Sequence, residues 1–260
     1  MVLAPFQYLL GGASGLLVGF TLGLVGGGGS ILAVPLMVYL VGVTSPHLAI
    51  GTSALAVAVN AAGNLVPHAR QGTIKWRCAG MYALAGVAGA FAGSTLGKAF
   101  DGQKLLFLFA LLMLVVGVLM LRGRGEPGNP DVQCQRENAP KVIAYGSATG
   151  LFSGFFGIGG GFLIVPGLMA STGMPMINAV GSSLVAVAAF GLTTAINYAV
   201  SGFIDWGLAA AFIGGGMLGG VVGAAASRRL SAHKGLLNSV FAALIFCVAF
   251  YMLWKSWTAA

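Results

Sequence analysis

The sequence predicts an all-α, polytopic integral membrane protein with two inverted-topology repeats, each with a glycine-broken helical hairpin followed by three transmembrane helices. Three observations lead to this prediction: an apolar composition, a duplicated glycine-rich motif and an uneven placement of basic residues. Of 260 residues, 58% are hydrophobic and only 7% are charged, and the mean hydropathy is +0.94. Since soluble domains carry about a quarter charged residues, the composition excludes an ordinary soluble globule.

Charged residues are absent from two long stretches of the chain. No Asp, Glu, Lys or Arg precedes Arg70, and none lies between Lys141 and Asp205. Each stretch has room for several helices of about 20 residues. Apolar segments are predicted at about 5–25, 30–43, 47–67, 76–97 and 104–121, and again at about 142–157, 161–173, 177–200, 206–227 and 234–257.

The second half of the chain repeats the first. Residues 19–35 (GFTLGLVGGGGSILAVP) align with residues 150–166 (GLFSGFFGIGGGFLIVP), and after a slip of one residue Gly51-Thr52-Ser53 aligns with Gly181-Ser182-Ser183. Such self-similarity indicates a duplicated unit. We therefore divide a single transmembrane domain, residues 1–260, into repeat one (1–121), a cytoplasmic linker (122–141) and repeat two (142–257). Identical pairs in the alignment are Gly19/Gly150, Gly23/Gly154, Gly26/Gly157, Gly28/Gly159, Gly29/Gly160 and Pro35/Pro166.

The basic residues predict the orientation of the chain. Placing loops 68–77, 122–141 and 227–234 in the cytoplasm puts ten of the thirteen basic residues inside, as the positive-inside rule expects for a bacterial inner membrane. Loop 201–206, the repeat partner of loop 68–77, then faces outward. The two repeats are therefore predicted to be inverted, which requires an odd number of crossings in each.

Two arrangements satisfy that count. One is a re-entrant hairpin of two half-helices followed by three full crossings, and the other is five short crossings. Segments 142–157 and 161–173 are short for a hydrocarbon layer of about 30 Å, because a helix rises about 1.5 Å per residue. Their length favours the hairpin.

Consecutive glycines mark the predicted interruption in each repeat. Runs of glycine inside apolar sequence are expected to break a helix, and the helix that resumes at Ser30 or Phe162 presents free N–H groups and a positive dipole end. Two such ends facing each other would form a pocket for a small anion. The alternative is that both runs are tight turns of surface hairpins. The candidate substrate-binding residues here are Gly28, Gly29, Ser30, Gly159, Gly160 and Gly161.

Uncharged polar residues in the apolar segments extend the candidate site. Hydroxyls and amides could complete the coordination of an anion, although each one could equally be a hydrogen bond between helices. All five acidic residues fall in predicted loops, so a carboxylate proton relay within the membrane is not expected. His47 and His68 lie near segment ends, where we expect them to be passive. The candidates in this group are Thr52, Ser53, Ser182, Ser183, Asn60 and Asn197.

Several other functions are not indicated. Cys78, Cys134 and Cys247 are scattered without C-x-x-C spacing, which predicts neither a disulfide framework nor a metal site. No H-E-x-x-H or G-x-S-x-G motif occurs, so we expect neither an enzyme nor a cofactor. The net charge of +8 lies in loops, where orientation explains it better than nucleic acid. Glycines spaced by three or four residues at 86–97 and 215–223 predict close helix packing and allow a homodimer.

The ordered pair of glycine-rich motifs, with the Gly-Thr-Ser and Gly-Ser-Ser segments that follow them, resembles the TauE/SafE sulfite exporter family. The similarity covers essentially the whole chain. The resemblance implies a permease for sulfur-containing or related organic anions, such as sulfite or an organosulfonate, in the cytoplasmic membrane. It does not imply a particular substrate.

The function predicted from the sequence is therefore secondary transport of a small anion by alternating access. The expected partners are the anion and the lipid bilayer. A passive anion channel and a non-transporting membrane scaffold protein are the alternatives.

Overall fold

The computed structural model describes residues 4–122, 128–129, 132, 134, 138–157, 161–230 and 236–258. This part of the chain is helical and contains no strand. After α1 (Pro5–Val25), a 3-10 helix (Gly26–Leu32), a short α2 (Ala33–Pro35) and a π-helical turn (Leu36–Leu40) follow without a gap. The remaining helices are α3 (Pro46–Arg70), α4 (Trp76–Ala99), α5 (Gly102–Arg122), α6 (Ala139–Phe156), α7 (Gly161–Thr172), α8 (Met176–Val200), α9 (Trp206–Leu230) and α10 (Leu236–Thr258).

Many of these helices are long and apolar enough to cross a membrane. Within the described residues, five stretches meet that requirement, and shorter apolar stretches lie in α5, α7 and α10. The predicted polytopic, all-helical architecture is thereby confirmed. The five stretches are Pro5–Leu40, Pro46–Arg70, Trp76–Ala99, Met176–Val200 and Trp206–Ala226.

The apolar stretch Pro5–Leu40 is not one straight helix, because the chain folds back on itself. The side-chain Nε2 of Gln7 donates a hydrogen bond to the carbonyl of Val41 at 2.9 Å, which joins the two ends of the stretch. The α-helical conformation stops at Gly26, where φ is +66°. A side chain at that φ would be strained, so glycine suits the reversal.

The second repeat reverses in a similar way. Helix α6 ends at Gly157 in the left-handed conformation, with φ of +67°, and α7 begins at Gly161. The N–H of Asn129 then donates to the carbonyl of Gly173, just after α7, at 2.9 Å. The end of α7 therefore lies beside the segment that leads into α6.

The predicted segments 142–157 and 161–173 agree closely with α6 and α7. In the first repeat, however, the expectation of a helix that starts at Ser30 is wrong. The glycines themselves form the 3-10 helix that runs through Ser30 to Leu32. This tighter winding is stabilised by the Ser30 hydroxyl, which donates to the Gly27 carbonyl at 2.9 Å.

Left-handed backbone recurs at matching places in the two repeats. Every residue with positive φ in the described chain is a glycine, and the six fall into three pairs at corresponding positions. The duplicated sequence thus has a duplicated backbone at its turns. The pairs are Gly26/Gly157, Gly42/Gly173 and Gly72/Gly202.

Glycine seams hold α1 against α9 and α4 against α6. A Cβ on Gly19 would overlap the backbone of Gly216, and a Cβ on Gly150 would overlap the backbone of Gly86. These two pairs are equivalent under the repeat alignment. The predicted close packing through spaced glycines is confirmed, since a side chain in either seam would push the helices apart.

The interior of the bundle holds polar side chains among the buried apolar ones, and other large apolar side chains face outward. Leu84 is 78% and Val200 is 85% exposed, while Ser53 and Ser182 are fully buried. Helices α3 and α8 contact each other at the centre, and each also contacts one seam helix of the opposite repeat, α9 or α4. This distribution of side chains fits a chain surrounded by lipid.

Candidate substrate site at the glycine interruptions

The two glycine interruptions meet inside the molecule. A Cβ on Gly161 would overlap the carbonyl of Gly27, and a Cβ on Gly27 would contact the Cα of Gly161 and the side chain of Val187. Gly27 and Gly161 are both buried. Val187 lies near the middle of α8 (Met176–Val200), so the meeting point lies about halfway along a membrane-length helix.

Ser183 connects the first interruption to α8. The N–H of Gly27 donates to the Ser183 hydroxyl at 3.0 Å, and that hydroxyl donates to the Val180 carbonyl at 2.8 Å. Ser53, its repeat partner, likewise donates to the Ile50 carbonyl at 3.0 Å. A Cβ on Gly157 would overlap the side chain of Ile50, so α3 approaches the second interruption as α8 approaches the first.

The first glycine run is buried within the bundle. Gly28, Gly29 and Ser30 are buried in the 3-10 helix. Gly29 lies against the backbone of Thr21 in α1, and the Thr21 hydroxyl lies 3.3 Å from the Gly29 carbonyl. The predicted residues Gly159 and Gly160 of the second run lie outside the described residues. What is described of the two runs comes together, but their contribution to substrate binding stays a prediction.

Thr52 and Ser182 have matching structural roles. The Thr52 hydroxyl accepts from the N–H of Asp205 at 3.0 Å, and the Ser182 hydroxyl accepts from the N–H of Lys75 at 2.9 Å. Asp205 and Lys75 immediately precede α9 and α4. Each hydroxyl therefore ties the start of one long helix to a helix of the opposite repeat, and both bind backbone in the structure.

The two predicted asparagines lie in different surroundings. Asn197 is fully engaged: its Nδ2 donates to the Ser94 hydroxyl at 2.6 Å, and its Oδ1 accepts from Lys98 Nζ at 2.8 Å. Asn60 is 1% exposed, and neither of its amide atoms has a hydrogen-bond partner within the described residues. Asn197 thus joins α8 to α4, whereas Asn60 is available to a small ligand or water.

The described helices carry no acidic side chain. Asp101 and Asp205 lie in loops, where their carboxylates accept N–H groups at the start of α5 and α9. No three His, Cys, Asp or Glu side chains of the described chain lie close enough together to hold a metal ion. The described helices therefore place no carboxylate in the interior where it would repel an anion.

One prediction about the cysteines is wrong. Cys78, at the start of α4, forms a disulfide with Cys134, and their Cα atoms are 5.3 Å apart. The fold brings Cys134 against the start of α4, which spacing along the chain does not reveal. A cavity of about 310 Å³ lies at this bond, with lining residues that belong to neither glycine interruption. The residues that line it are Ile74, Lys75, Trp76, Arg77, Cys78, Val132 and Cys134.

Sequence reasoning left four polar positions out of the candidate site. Gly27 belongs to the glycine run, but nothing in the sequence singles out its N–H as the one that meets Ser183. Lys98 lies outside the three predicted cytoplasmic loops and was not a candidate, yet its Nζ donates to Asn197. Asn64 and His68 follow Asn60 at intervals of four residues, a spacing that places them on one helix face and could have drawn attention to them.

Comparisons with known proteins agree with this architecture. The family described as “Sulfite exporter TauE/SafE” matches residues 11–252. A probable membrane transporter protein of Xylella fastidiosa strain Temecula1 is 55% identical over 247 residues, which cover 95% of each chain. A probable membrane transporter protein of Bacillus subtilis is 27% identical over 83% of this chain and 87% of its own length. No solved structure matches the chain.

Proposed function

The chain belongs to the sulfite exporter TauE/SafE family and is a membrane transporter, and we propose that its substrate is a small sulfur-containing anion such as sulfite or an organosulfonate. In this proposal the transporter is a secondary carrier that works by alternating access. The anion binds where the two glycine interruptions meet.

The contact between Gly27 and Gly161 is the observation that carries this proposal. Non-helical backbone at membrane depth is tolerated where it is buried in protein or lines a polar cavity. Here it is buried beside the middle of α8, and the Ser183 hydroxyl lies next to it. Backbone N–H groups and hydroxyls offer an oxyanion several hydrogen bonds without a fixed countercharge, which lets the anion leave again.

We further infer that the two hairpins enter from opposite membrane surfaces. The first hairpin closes at Gln7 and Val41, just before α3 begins. The second closes at Gly173, and α8 then begins beside Thr73 at the far end of α3, where Asn178 Nδ2 donates to the Thr73 carbonyl at 3.0 Å. Because α3 has 25 residues, about 37 Å by helix rise, the two closing ends lie on opposite sides.

Inverted repeats of this kind support alternating access. Each glycine seam joins the hairpin of one repeat to a long helix of the other, as in α1 with α9 and α6 with α4. Two such units rocking about the central contact of α3 and α8 would open the anion site to one side and then the other. The basic loops 68–77, 122–141 and 227–234 would face the cytoplasm of a bacterial cell.

The proposal is tested by sulfite uptake into proteoliposomes. Replacing Gly28 by Leu places a bulky side chain in the buried run, and we expect uptake to be abolished while membrane insertion persists. The matched control is Gly214→Leu, since Gly214 is exposed and a Cβ there meets nothing within 4 Å. Equal uptake by wild type and G28L would contradict the site.

Flux measurements in the same proteoliposomes distinguish a carrier from a channel and from a scaffold protein. A carrier gives saturable uptake and counterflow, in which unlabelled sulfite inside accelerates entry of labelled sulfite. A channel gives flux without counterflow. Wild-type protein that neither binds nor moves sulfite, sulfonates or small carboxylates would favour a scaffold.

A further inference from the structure

A column of buried polar side chains runs along one face of α3. Asn60, Asn64 and His68 are spaced by four residues and are 1%, 3% and 0% exposed. Residues four apart lie on the same side of a helix, so the column extends for about 12 Å. It begins at the end of α3 next to loop 71–75 and points into the bundle.

The column lies against the seam between α1 and α9. A Cβ on Gly216 would overlap the Asn60 amide, and a Cβ on Gly220 would approach the Asn64 amide at 2.5 Å. Gly220 in turn contacts Gly23 of α1, and His68 Nε2 lies 3.4 Å from the Gly23 carbonyl. Gly23 precedes the first interruption by one helical turn, so the column borders the proposed anion site.

Three atoms of the column lack partners. Asn64 Nδ2 donates to the Asn60 carbonyl at 2.9 Å, but both amide atoms of Asn60 and the Oδ1 of Asn64 have no hydrogen bond within the described residues. Buried amide groups without partners are costly, and water is their usual partner. The column therefore suits a file of water molecules.

The hydrogen bonds around His68 favour its doubly protonated ring. Nε2 faces the Gly23 carbonyl, which can only accept, and Nδ1 lies 3.2 Å from the Thr73 hydroxyl. That hydroxyl also lies 3.1 Å from the His68 carbonyl, to which it donates. If the ring is neutral with its hydrogen on Nε2, the Thr73 hydroxyl must donate to Nδ1 and loses its hydrogen bond to the His68 carbonyl. An imidazolium ring satisfies all three contacts at once.

Within the described residues, the helices and the loop around His68 carry no acidic side chain. The contacting elements α1, α8 and α9 and loop 71–75 contain no Asp or Glu. The described charged residues nearest to His68 along the chain, Arg70 and Lys75, are both basic. An anion in the adjoining interruption would supply the missing negative charge, so binding of anion and proton would favour each other.

The second repeat has no equivalent proton carrier. Phe190, Thr194 and Tyr198 occupy the corresponding positions on α8, and the Phe190 ring fills the space beside Gly86 where Asn60 lies beside Gly216. A phenyl ring cannot bind water as an amide does, and a phenol does not accept a proton near neutral pH. Thr194 Oγ1 and the Tyr198 hydroxyl also lack hydrogen bonds within the described residues, but neither side chain takes up a proton near neutral pH. Among these corresponding positions, only His68 can therefore accept a proton.

From this arrangement we propose that Asn60, Asn64 and His68 form a hydrated proton pathway, in which His68 takes up and releases one proton with each anion carried. The proposal rests on the proposed transport function and adds its coupling ion. No electron moves: the proton adds to one ring nitrogen from the water file and leaves by the same atom. His68 is a coupling residue, distinct from the groups that touch the anion.

The test compares two modes of sulfite movement in proteoliposomes. Exchange of internal for external sulfite at equal pH needs no net proton flow, whereas net uptake driven by an imposed pH gradient does. We expect H68Q to lose gradient-driven uptake and to retain measurable exchange. The matched control is H47Q, which replaces the half-buried histidine beside Phe203 and is expected to keep both modes.

Each outcome decides a separate question. Exchange by wild type without a response to the gradient would overturn proton coupling and leave anion transport intact. An H68Q variant that responds to the gradient like wild type would overturn the role of His68 in that coupling. Absence of exchange in wild type would overturn the transport function and this pathway with it. If H68Q is not recovered folded, Asn60→Leu, which blocks the water file, is expected to lose gradient-driven uptake, and a normal response would overturn the proposal.

Discussion

Hydroxyl groups at neighbouring or corresponding positions of α3 and α8 make different contacts. Thr52 and Ser182 accept the N–H groups that precede α9 and α4, whereas Ser183 accepts the N–H of Gly27 in the interruption. The sequence predicts all three as candidates with equal weight, because a Ser or Thr in an apolar helix has the same appearance whether it binds backbone or substrate. Only the contacts with the opposite repeat distinguish a hydroxyl that holds the start of a helix from one that lies at the interruption.

This difference predicts unequal effects of two conservative substitutions. Thr52→Val removes the acceptor for Asp205 and should lower the free energy of unfolding by about 1 kcal/mol, with little change in the KM for sulfite. Ser183→Ala alters the interruption itself and should raise that KM. Thermal unfolding and uptake kinetics on the same preparations measure both quantities. If T52V raises KM as much as S183A does, Thr52 belongs to the substrate site.

At the scale of the helices, glycine sets how closely two elements approach. Gly15, Gly19 and Gly23 of α1 lie on α9 as Gly146, Gly150 and Gly154 of α6 lie on α4. The spacing of glycines in the sequence was enough to predict close packing. It was not enough to predict which helices pair, since partners come from opposite repeats and no local pattern encodes them.

The seam predicts a sharp contrast between two glycines of the same helix. A Cβ on Gly19 would overlap the Gly216 backbone, whereas a Cβ on Gly12 would lie 3.7 Å from the nearest atom, the Ala211 carbonyl oxygen. Gly19→Ala should therefore cost about 1–3 kcal/mol of stability through overpacking. Gly12→Ala should be tolerated. Thermal unfolding of the purified variants tests this, and equal transition temperatures would show that the seam is looser than described.

The 3-10 helix shows where element-level prediction failed. A run of glycine is a reliable sign that an α-helix ends, but it does not determine what replaces the α-helix. Here Ser30 and the tight packing of Gly29 on Thr21 select a 3-10 winding. The paired cysteines failed for a comparable reason, because Cys78 and Cys134 are 56 residues apart and only the path of the linker joins them.

The whole molecule follows from a duplicated unit that could be recognised in the sequence. The repeat alignment located both interruptions and paired Gly26 with Gly157, and the structure shows that both of these glycines have positive φ. The alignment could not show that the interruptions touch, because that contact depends on how α3 and α8 cross at the centre. The structure adds that the paired residues Asn60 and Phe190, which differ in chemistry, each lie beside a glycine seam.

The central claim is that an anion is held where the two interruptions meet, and locating a heavy analogue of sulfite tests it most directly. Selenite has the shape and charge of sulfite, and its selenium scatters anomalously. In crystals of the protein grown with selenite, we expect one anomalous peak beside the contact of Gly27 with Gly161, within hydrogen-bonding distance of backbone N–H groups of the interruptions. Selenite found only at the basic loops, with no peak beside the interruptions, would contradict the account.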